Sequence, residues 1–498
     1  MKKSLKNWGI RHEFDGHYSE DLVKAADGRL LQGSGDIKIG HISLDSRNME
    51  GDDLFVPIIG EKVDAHRFIC QALGKGAAAV FTSEHHSPAD IKACIEEQAG
   101  SDPEVSAKSR RAVWIQVEDT RKALQDFGLY CRNKRTLPLV GITGSVGKTT
   151  TREMIAAALS AGFHVYKTPG NSNSQVGVPI TIAEIPGDAE IGVIELGMSE
   201  PGEMSRIARI ARVDCAVITN IGVAHIEQLG SRENILKEKL HIQDGMNPSG
   251  ILILNGDDEM LRNVKPEGRR RALYYGLGEN CGCRGVDLRL EKGFPVFTAV
   301  CGQERAQVKL KVMGSHMVSN ALAALAAANV YGIPLEKAAE KLGEFEGFKG
   351  RQQIFKLGGV TVIDDSYNAS PVSMKAGLEV LCAAADAKSR IAVLADMKEL
   401  GPDAPEFHRN IGFYIGSHPV DRVLLLGELA EEIGRGIEMA GSEVPFTLCR
   451  DLEEVNRWLE DHVEEGDCIL FKGSNSMGLS EAVTYFKKRN NKPYSAVL

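Results

Sequence analysis

Apolar residues occur along this chain in short continuous runs, with stretches of helical spacing between them. In the middle of the chain the runs lie at 113–117, 139–143, 191–196, 216–221 and 251–254. The helix-like stretches between them lie at 120–131, 149–159, 202–210 and 233–243. Strands buried on both faces read as continuous apolar runs, so this alternation predicts a mostly parallel sheet covered by helices.

The pattern differs on both sides of this central block. Residues 285–312 alternate between apolar and polar and predict an antiparallel hairpin, and a helical pair follows at 317–330 and 335–342. After a break at 347–351, a second alternation predicts strands at 360–363, 391–394, 423–426 and 468–471. Its helices are expected at 372–382, 405–415, 430–439 and 479–487. Near the N-terminus we expect strands at 53–58 and 77–81, a helix at 65–73, and a polar excursion at 83–111 with one short helix near 91–98.

These blocks predict an α/β protein of three domains. A length of 498 residues fits that number at about 150 residues per domain. We expect a small α/β N-terminal domain at 1–112 and a central domain with a mostly parallel sheet at 113–347. A C-terminal Rossmann-like α/β domain is expected at 348–498.

Composition narrows the class of protein. The hydrophobic fraction of 43% supports sizeable cores, and a formal net charge of −9 argues against a broad surface for nucleic acid or acidic membranes. No run approaches 18 apolar residues, and the basic N-terminus continues into charged sequence, so we expect neither membrane insertion nor a signal peptide. Ten cysteines without a regular frame favour reduced thiols and a cytoplasmic, bacterial location.

Residues 141–151, Gly-Ile-Thr-Gly-Ser-Val-Gly-Lys-Thr-Thr-Thr, stand between a predicted strand and a predicted helix. Glycines at this place let backbone N–H groups turn toward one anion, and the helix that follows adds its positive end. Lys148 can reach β- and γ-phosphates, and Thr149 can offer a hydroxyl to Mg²⁺. The segment departs from the standard P-loop pattern at Ile142, where that pattern has glycine. The alternative is an ordinary glycine-rich turn, but such a turn would not need the Lys-Thr pair. The predicted nucleotide cradle comprises Gly144, Ser145, Val146, Gly147, Lys148, Thr149 and Thr150, and it predicts that the domain at 113–347 is P-loop ATPase-like.

Polar residues follow many of the predicted strands, at the edge where open α/β sheets bind ligands. They are Glu195, Asn220, His225, Asp257, Asp258, Asp364, Asp365, Asp396 and Lys472. Their number predicts two active faces across a cleft. Glu195 is a candidate magnesium ligand because a Mg²⁺-nucleotide needs carboxylate oxygens near the P-loop, although it could instead cap a helix. His225 is a candidate ligand or a satisfied core histidine, and Lys239 by spacing alone would be a solvated helix residue.

Several motifs together resemble the Mur ligase family over almost the whole length. Besides 141–151, they are Leu44-Asp45-Ser46-Arg47, Ile194-Glu195-Leu196-Gly197-Met198, Thr219-Asn220-Ile221-Gly222 with Ala224-His225, Ser315-His316 with Asn320-Ala321, Gly350-Arg351, Asp364-Asp365-Ser366-Tyr367-Asn368-Ala369, Asp396-Met397 with Glu399-Leu400-Gly401, and Lys472-Gly473-Ser474. The Asp-Ser-Tyr-Asn-Ala run is the most specific. It is similar to that of members joining D-Ala-D-Ala to UDP-N-acetylmuramoyl-tripeptide.

The resemblance implies a reaction and a use for each domain. The first domain would hold the UDP part of the substrate, the second ATP, and the third the incoming D-Ala-D-Ala. ATP would phosphorylate the peptide carboxylate, and the dipeptide amine would attack the acyl phosphate to form an amide in peptidoglycan precursor synthesis. A monomer is expected.

The resemblance also implies roles for single residues. Lys148 would neutralise the transferring phosphoryl group, Thr149 and Glu195 would hold one Mg²⁺, and His225 would hold a second. Lys239 matches a lysine that is often carbamylated in the family, which would make it a metal ligand. Asn320 would contact adenine, and Arg351 would contact the phosphates. Asp365 and Tyr367 would border the nucleotide, and Asn368 would border the acceptor. Ser46 and Arg47 would contact the uridine diphosphate, and Asn171 and Asn173 would belong to the substrate-facing loop.

Departures from the family pattern leave the substrate open. Ser174 follows Asn173, Ala65 stands between Asp64 and His66, and Asn475 follows the Lys-Gly-Ser run where arginine is common. One alternative is a related ligase joining a different amino acid or dipeptide. Another is a P-loop switch. The sequence argues against it because no guanine-reading Asn-Lys-x-Asp motif follows the P-loop.

Overall fold

The computed structural model describes residues 16–98 and 108–490, whose strands form three large sheets and one two-stranded ribbon. This confirms the predicted α/β class with three sheet-based parts. The basic N-terminus lies outside the described residues, so the expectation that it is not a signal peptide rests on sequence alone. Within the described ranges, no helix combines the length and the apolar character that crossing a bilayer requires.

The first sheet has five strands in the order β2-β7-β6-β5-β4. Its strands are β2 Arg29–Gln32, β4 His41–Ser43, β5 Asp53–Phe55, β6 Ala79–Thr82 and β7 Val113–Gln116, and a two-stranded ribbon of β1 His17–Tyr18 and β3 Lys38–Ile39 lies beside it. The helices of this region are α1 Ser19–Ala25, α2 Ile69–Gly74 after a 3₁₀ turn at Ala65–Phe68, α3 Pro88–Gln98 and α4 Thr120–Asn133.

Strand β7 corrects one expectation. The sequence placed the run at 113–117 in the central sheet, but β7 pairs parallel with β6 and antiparallel with β2. An apolar run reveals that a strand is buried and does not reveal which sheet it joins. The three domain ranges themselves stay a prediction, and this strand lies with the sheet of the first.

The central sheet has nine strands in the order β16-β15-β14-β13-β12-β11-β8-β10-β9. They are β8 Leu139–Thr143, β9 Val165–Lys167, β10 Ile191–Glu195, β11 Cys215–Ile218, β12 Ile251–Asn255, β13 Arg271–Gly276, β14 Cys283–Glu291, β15 Phe294–Cys301 and β16 Glu304–Lys309. The helices are α5 Lys148–Leu159, α6 Gly177–Ala183, α7 Glu203–Ala211, α8 Ile226–Leu229, α9 Arg232–Leu240 with a 3₁₀ turn at His241–Gln243, α10 His316–Val330 and α11 Leu335–Gly343. The strands from β9 to β14 pair in parallel, and β14 to β16 extend the predicted hairpin to three antiparallel strands.

The C-terminal sheet has six strands in the order β17-β18-β22-β19-β20-β21, all parallel except β17. They are β17 Gln353–Leu357, β18 Val360–Asp364, β19 Arg390–Ala395, β20 Arg422–Leu426, β21 Phe446–Cys449 and β22 Cys468–Lys472. The helices are α12 Pro371–Cys382, α13 Ala404–Gly416 after a 3₁₀ turn at Gly401–Asp403, α14 Glu431–Met439, α15 Leu452–His462 and α16 Leu479–Asn490 after a 3₁₀ turn at Asn475–Met477. Both larger sheets carry an apolar core on each face, because alternate residues of one strand point to opposite sides; Val140 and Ile142 of β8 enter one core and Leu139 enters the other.

Two disulfides overturn the expectation of reduced thiols for four cysteines. Cys283 of β14 lies opposite Cys301 of β15 in the antiparallel register, with 4.2 Å between their Cα atoms. Cys70 of α2 pairs with Cys94 of α3, at a Cα–Cα distance of 5.3 Å. Both pairs are made by tertiary packing between elements, which sequence spacing does not reveal.

Candidate active site

A cavity of about 620 Å³ lies between the central and C-terminal sheets. One wall is formed by 145–150 together with polar residues that follow β11 and begin α10. The other wall is formed by residues after β18, β19 and β22. The carboxyl ends of strands from two sheets thus face one space, as the sequence predicted.

The loop before α5 has the shape of an anion cradle. Gly144 and Gly147 have φ angles of +150° and +83°, values that side-chain-bearing residues rarely adopt. Asn220, which follows β11, fixes the loop from outside, because the N–H of Val146 donates to its Oδ1 at 2.9 Å. Gly147 ends the loop as the N-cap of α5, so the positive end of a 12-residue helix points into the cavity.

Lys148 begins α5 and reaches back along the loop. Its Nζ donates to the carbonyl oxygen of Gly144 at 2.8 Å. Burial lowers the pKa of Lys148, the positive charge of Arg351 lowers it further, and Glu195 opposes both. A cation held at the cradle with little water around it is suited to neutralising a phosphate.

Glu195 ends β10 and is only 1% exposed. The hydroxyl of Thr149 donates to its Oε1 at 3.3 Å, and Nδ2 of Asn173 donates to the same oxygen at 2.7 Å. Nη1 of Arg152 donates to the other oxygen, Oε2, at 3.1 Å. The carboxylate is therefore oriented with one oxygen toward the P-loop threonine.

Arg152 was not predicted as a site residue and is fully buried. Besides Glu195, it binds the carbonyl oxygen of Gly170 at 2.7 Å and Oε1 of Glu153 at 2.6 Å. Lys167 forms an ion pair with the second oxygen of Glu153. An arginine one turn into a helix reads as a solvent-facing residue, so the sequence carries no signal for this role.

Lys239 lies on α9, and the structure buries it to 1% exposure, against the solvated position that spacing alone suggested. Burial lowers the pKa of Lys239 well below its ordinary value, and the nearby charge of Lys148 lowers it further. No ion pair involves Lys239 in the part of the chain that the structure describes. Burial and the neighbouring positive charge thus disfavour the protonated amine, and Glu238 opposes them.

His225 lines the cavity on the loop after β11. Its Nδ1 lies 2.5 Å from Oε2 of Glu399, which belongs to the loop after β19 in the other sheet. The adjacent His225 imidazole lowers the pKa of Glu399, and partial burial opposes that effect. Both residues have a φ of +63°, a strained value for residues with side chains.

The C-terminal wall carries a buried group of charges. Nζ of Lys472 donates to Oδ2 of Asp365 at 2.6 Å and to the carbonyl oxygen of Asn368 at 3.2 Å. Burial raises the pKa of Asp365, and the nearby positive charges of Lys472 and Arg351 oppose that rise. The guanidinium of Arg351 lies 4.0 Å from the ring centre of Tyr367.

Two residues of α10 complete the central wall. Oδ1 of Asn320 accepts the Thr151 hydroxyl at 3.2 Å, and Asn320 lines the cavity beside the P-loop. Nε2 of His316 donates to Oε1 of Gln352 across the two walls at 2.8 Å. Burial lowers the pKa of His316 to about 4, so its imidazole is neutral near pH 7.

The other predicted substrate residues lie apart from the cavity wall. Ser46 is buried and donates to Oε1 of Gln71 at 2.9 Å, and Arg47 forms a surface ion pair with Asp45 at 2.8 Å. Asn171 is exposed, and Asn173 touches Glu195.

Among the described residues no group of three or more histidine, cysteine, aspartate or glutamate side chains is arranged to hold a metal, so an ion in the cavity needs other ligand types.

Sequence reasoning missed or undervalued several residues of this site. Lys472 stood out as a strand-end cation but received no role, and Glu399 occurred only inside a quoted motif. His316 also occurred only inside a quoted motif, and Gln352 was not singled out, because each finds its partner on the opposite wall of the cavity.

Comparisons with known proteins agree with this arrangement. Residues 38–130 match the Mur ligase family catalytic domain, residues 142–328 the Mur ligase middle domain, and residues 350–475 the Mur ligase glutamate ligase domain. The chain is 34% identical over 443 residues to the UDP-N-acetylmuramoyl-tripeptide–D-alanyl-D-alanine ligase of Bacillus subtilis, covering 89% of this chain and 92% of that protein. The enzyme of the same name from Synechocystis is 33% identical over 463 residues, covering 92% and 94%.

Solved structures give the same result. A MurF structure from Acinetobacter baumannii superposes with a TM-score of 0.81 at 27% identity, covering 95% of this chain and 99% of that one. A MurF ligase from Thermotoga maritima in complex with ADP superposes with a TM-score of 0.74 at 28% identity, covering 90% and 97%. With a P-loop and a facing α/β wall around one cavity, and relatives matched over nearly their whole length, this chain belongs to the Mur ligase family.

Proposed function

We propose that this chain is an ATP-dependent ligase that adds D-Ala-D-Ala to UDP-N-acetylmuramoyl-tripeptide in peptidoglycan precursor synthesis. The observation that carries the proposal is that one cavity has the P-loop on one wall and the Asp365–Lys472 group on the other. A ligation that uses ATP needs the nucleotide and two further reactants in one water-poor space. The identity of the relatives supports the choice of substrates.

The reaction proceeds in two displacements. A carboxylate oxygen of the peptide attacks the γ-phosphorus of ATP, the bond to ADP breaks, and an acyl phosphate forms. The amine of the dipeptide then attacks the acyl carbon, the bond to phosphate breaks, and an amide forms with loss of one proton. Phosphoryl transfer depends mainly on positioning and charge neutralisation, which is the role of Lys148 on one wall and Arg351 on the other.

We propose two magnesium positions on this chain's residues. Thr149 and Glu195 would hold one ion, since their oxygens already lie 3.3 Å apart beside the cradle. His225 and a carbamylated Lys239 would hold the second. When bound, Mg²⁺ neutralises charge on the phosphate oxygens. Burial supports the carbamylation of Lys239, because only an uncharged amine reacts with carbon dioxide.

The remaining assignments extend the proposal to the other substrates. Asn320, Asp365 and Tyr367 would border the nucleotide, and Asn368 the incoming dipeptide. Ser46, Arg47, Asn171 and Asn173 would contact the UDP-linked substrate, which fits residues lying outside the central cavity. The domain ranges 1–112, 113–347 and 348–498, a monomeric state and a cytoplasmic location belong to the same proposal.

A coupled assay tests the function. Purified protein is mixed with ATP, Mg²⁺, UDP-N-acetylmuramoyl-tripeptide and D-Ala-D-Ala, and phosphate release and product mass are recorded. We expect phosphate release that requires both substrates and a product heavier by one dipeptide less water. A product that forms only with another amino acid or dipeptide from a substrate panel would identify a related ligase instead. Hydrolysis of nucleotide that needs a protein partner and no acceptor would support the P-loop switch.

A further inference from the structure

The loop after β11 in the central sheet and the loop after β19 in the C-terminal sheet meet at the rim of the cavity. Nδ1 of His225 and Oε2 of Glu399 lie 2.5 Å apart. Next to this pair, Val223 packs against the apolar core of the C-terminal sheet. An added Cβ at Gly401 would lie 3.6 Å from Cα of Glu227. The contact is therefore a packed junction of the two loops, with the His225–Glu399 pair at its centre.

Both members of the pair have strained backbones. His225 and Glu399 have φ angles of +63°, which cost free energy for residues with a side chain. Strain of this kind persists only where the surrounding structure holds it, and it concentrates at functional positions. Here the strain lies on both sides of one contact that joins two sheets, so the contact is more specific than a chance surface contact.

The contact with Glu399 affects which nitrogen of the His225 ring can bind a ligand. The two ring nitrogens differ in role, and the hydrogen bond made by one sets the tautomer available at the other. A carboxylate oxygen 2.5 Å from Nδ1 favours the ring proton on that nitrogen, which leaves the lone pair of Nε2 for a ligand, and no hydrogen bond engages Nε2 in the described ranges. Metal-binding histidines in proteins are commonly oriented by such a carboxylate on the opposite nitrogen.

We propose that Glu399 is a positioning residue for His225, supplied by the C-terminal domain. It orients the ring so that Nε2 can hold a divalent cation beside the transferring phosphate. The inference rests on the proposed function of His225 as a metal ligand. Because Glu399 and His225 come from different sheets, the second cation position is complete only when the two domains are in contact. Metal affinity at this position is thereby coupled to the docking of the C-terminal domain.

The test uses the full-length protein with Mn²⁺ as the probe and a non-hydrolysable ATP analogue, with bound Mn²⁺ measured by electron paramagnetic resonance. We expect Glu399→Ala to weaken one of the bound ions by about 10–100-fold. Glu399→Gln, which keeps an acceptor but loses the charge, should weaken it less. Glu406→Gln is the matched control, since Glu406 is exposed on the same domain and does not line the cavity.

A double-mutant comparison separates positioning from general damage. If Glu399 acts through His225, the variant carrying both His225→Ala and Glu399→Ala binds Mn²⁺ no more weakly than His225→Ala alone. Additive losses, or an unchanged affinity in Glu399→Ala, would overturn the proposal. Thermal unfolding of each variant shows whether a loss reflects unfolding. If His225→Ala itself leaves both ions bound, the positioning role is wrong, whereas ligation in the coupled assay can still succeed independently.

Discussion

Lys148 shows how burial changes the chemistry of one residue at the P-loop. Its Nζ is held at the carbonyl oxygen of Gly144, close to where a phosphate would sit. We expect Lys148→Met to reduce kcat by about 10³-fold, because a charge directed at the transferring group contributes most in the transition state. The coupled assay measures the loss. Lys309→Met, at an exposed position of β16, should leave the rate unchanged, and a small effect of Lys148→Met would contradict the assigned role.

Lys239 and Lys237 lie on the same helix with opposite exposure, and so provide a matched pair. Lys239 is buried and Lys237 is exposed. We expect Lys239→Gln to abolish most ligation and Lys237→Gln to have no effect. Carbon-13 NMR with labelled bicarbonate should show one carbamate resonance that is absent from Lys239→Gln. If the resonance is missing from the active wild-type protein, carbamylation is excluded while the need for Lys239 can remain.

Arg152 compensates two buried carboxylates at once. It donates to Glu195 at 3.1 Å and to Glu153 at 2.6 Å. Removing one partner of a buried ion pair leaves an uncompensated charge, so Arg152→Met should lower the free energy of unfolding by about 3–5 kcal/mol. Arg450→Met is the control because the Arg450 side chain is 87% exposed, and surface pairs contribute little. Chemical denaturation measures the free energy of unfolding of both variants. Equal small losses would show that the buried ion pairs of Arg152 do not contribute that much to stability.

At the scale of elements, the P-loop depends on one glycine for both conformation and space. A Cβ added at Gly144 would lie 1.8 Å from Oγ1 of Thr219. Gly144→Ala should therefore deform the loop and sharply weaken nucleotide binding. Gly268 also has a positive φ, +66°, but open space around it, so Gly268→Ala carries the backbone cost without the clash. Calorimetric titration with ATP should show a loss only in Gly144→Ala; equal affinities would contradict this explanation.

The elements themselves were predictable where they are long and buried. The strands β8, β10, β11, β12, β18, β19, β20 and β22 were all expected from apolar runs. The missed strands are β1, β2, β3, β4, β9, β13, β17 and β21, and the missed helices are α1, α6, α8 and α15. Strands β9, β17 and β21 form sheet edges or lie half-buried, where an apolar run is interrupted by polar residues that face solvent.

At the scale of the whole molecule, the cavity exists only because two sheets face each other. The contacts between the walls include the His225–Glu399 pair and the His316–Gln352 hydrogen bond at 2.8 Å. We expect the domains to rotate together about the junction at 347–351 when ATP analogue and UDP-linked substrate bind. Solution scattering should show a smaller radius of gyration with both ligands than without. Identical dimensions in the two states would contradict closure.

The sequence by itself determined the α/β class, the P-loop and the strand-end positions of Glu195, Asp365 and Lys472. Those features follow from local rules: buried strands read as apolar runs, tight turns need glycine, and polar residues collect where parallel strands end. Only the tertiary structure decided which sheet strand β7 joins and that Lys239 is buried. It also decided that Arg152 contacts Glu195 and that Glu399 contacts His225. Each of these depends on contacts between residues far apart in the chain, and the spacing of one segment contains no information about the partner it will meet.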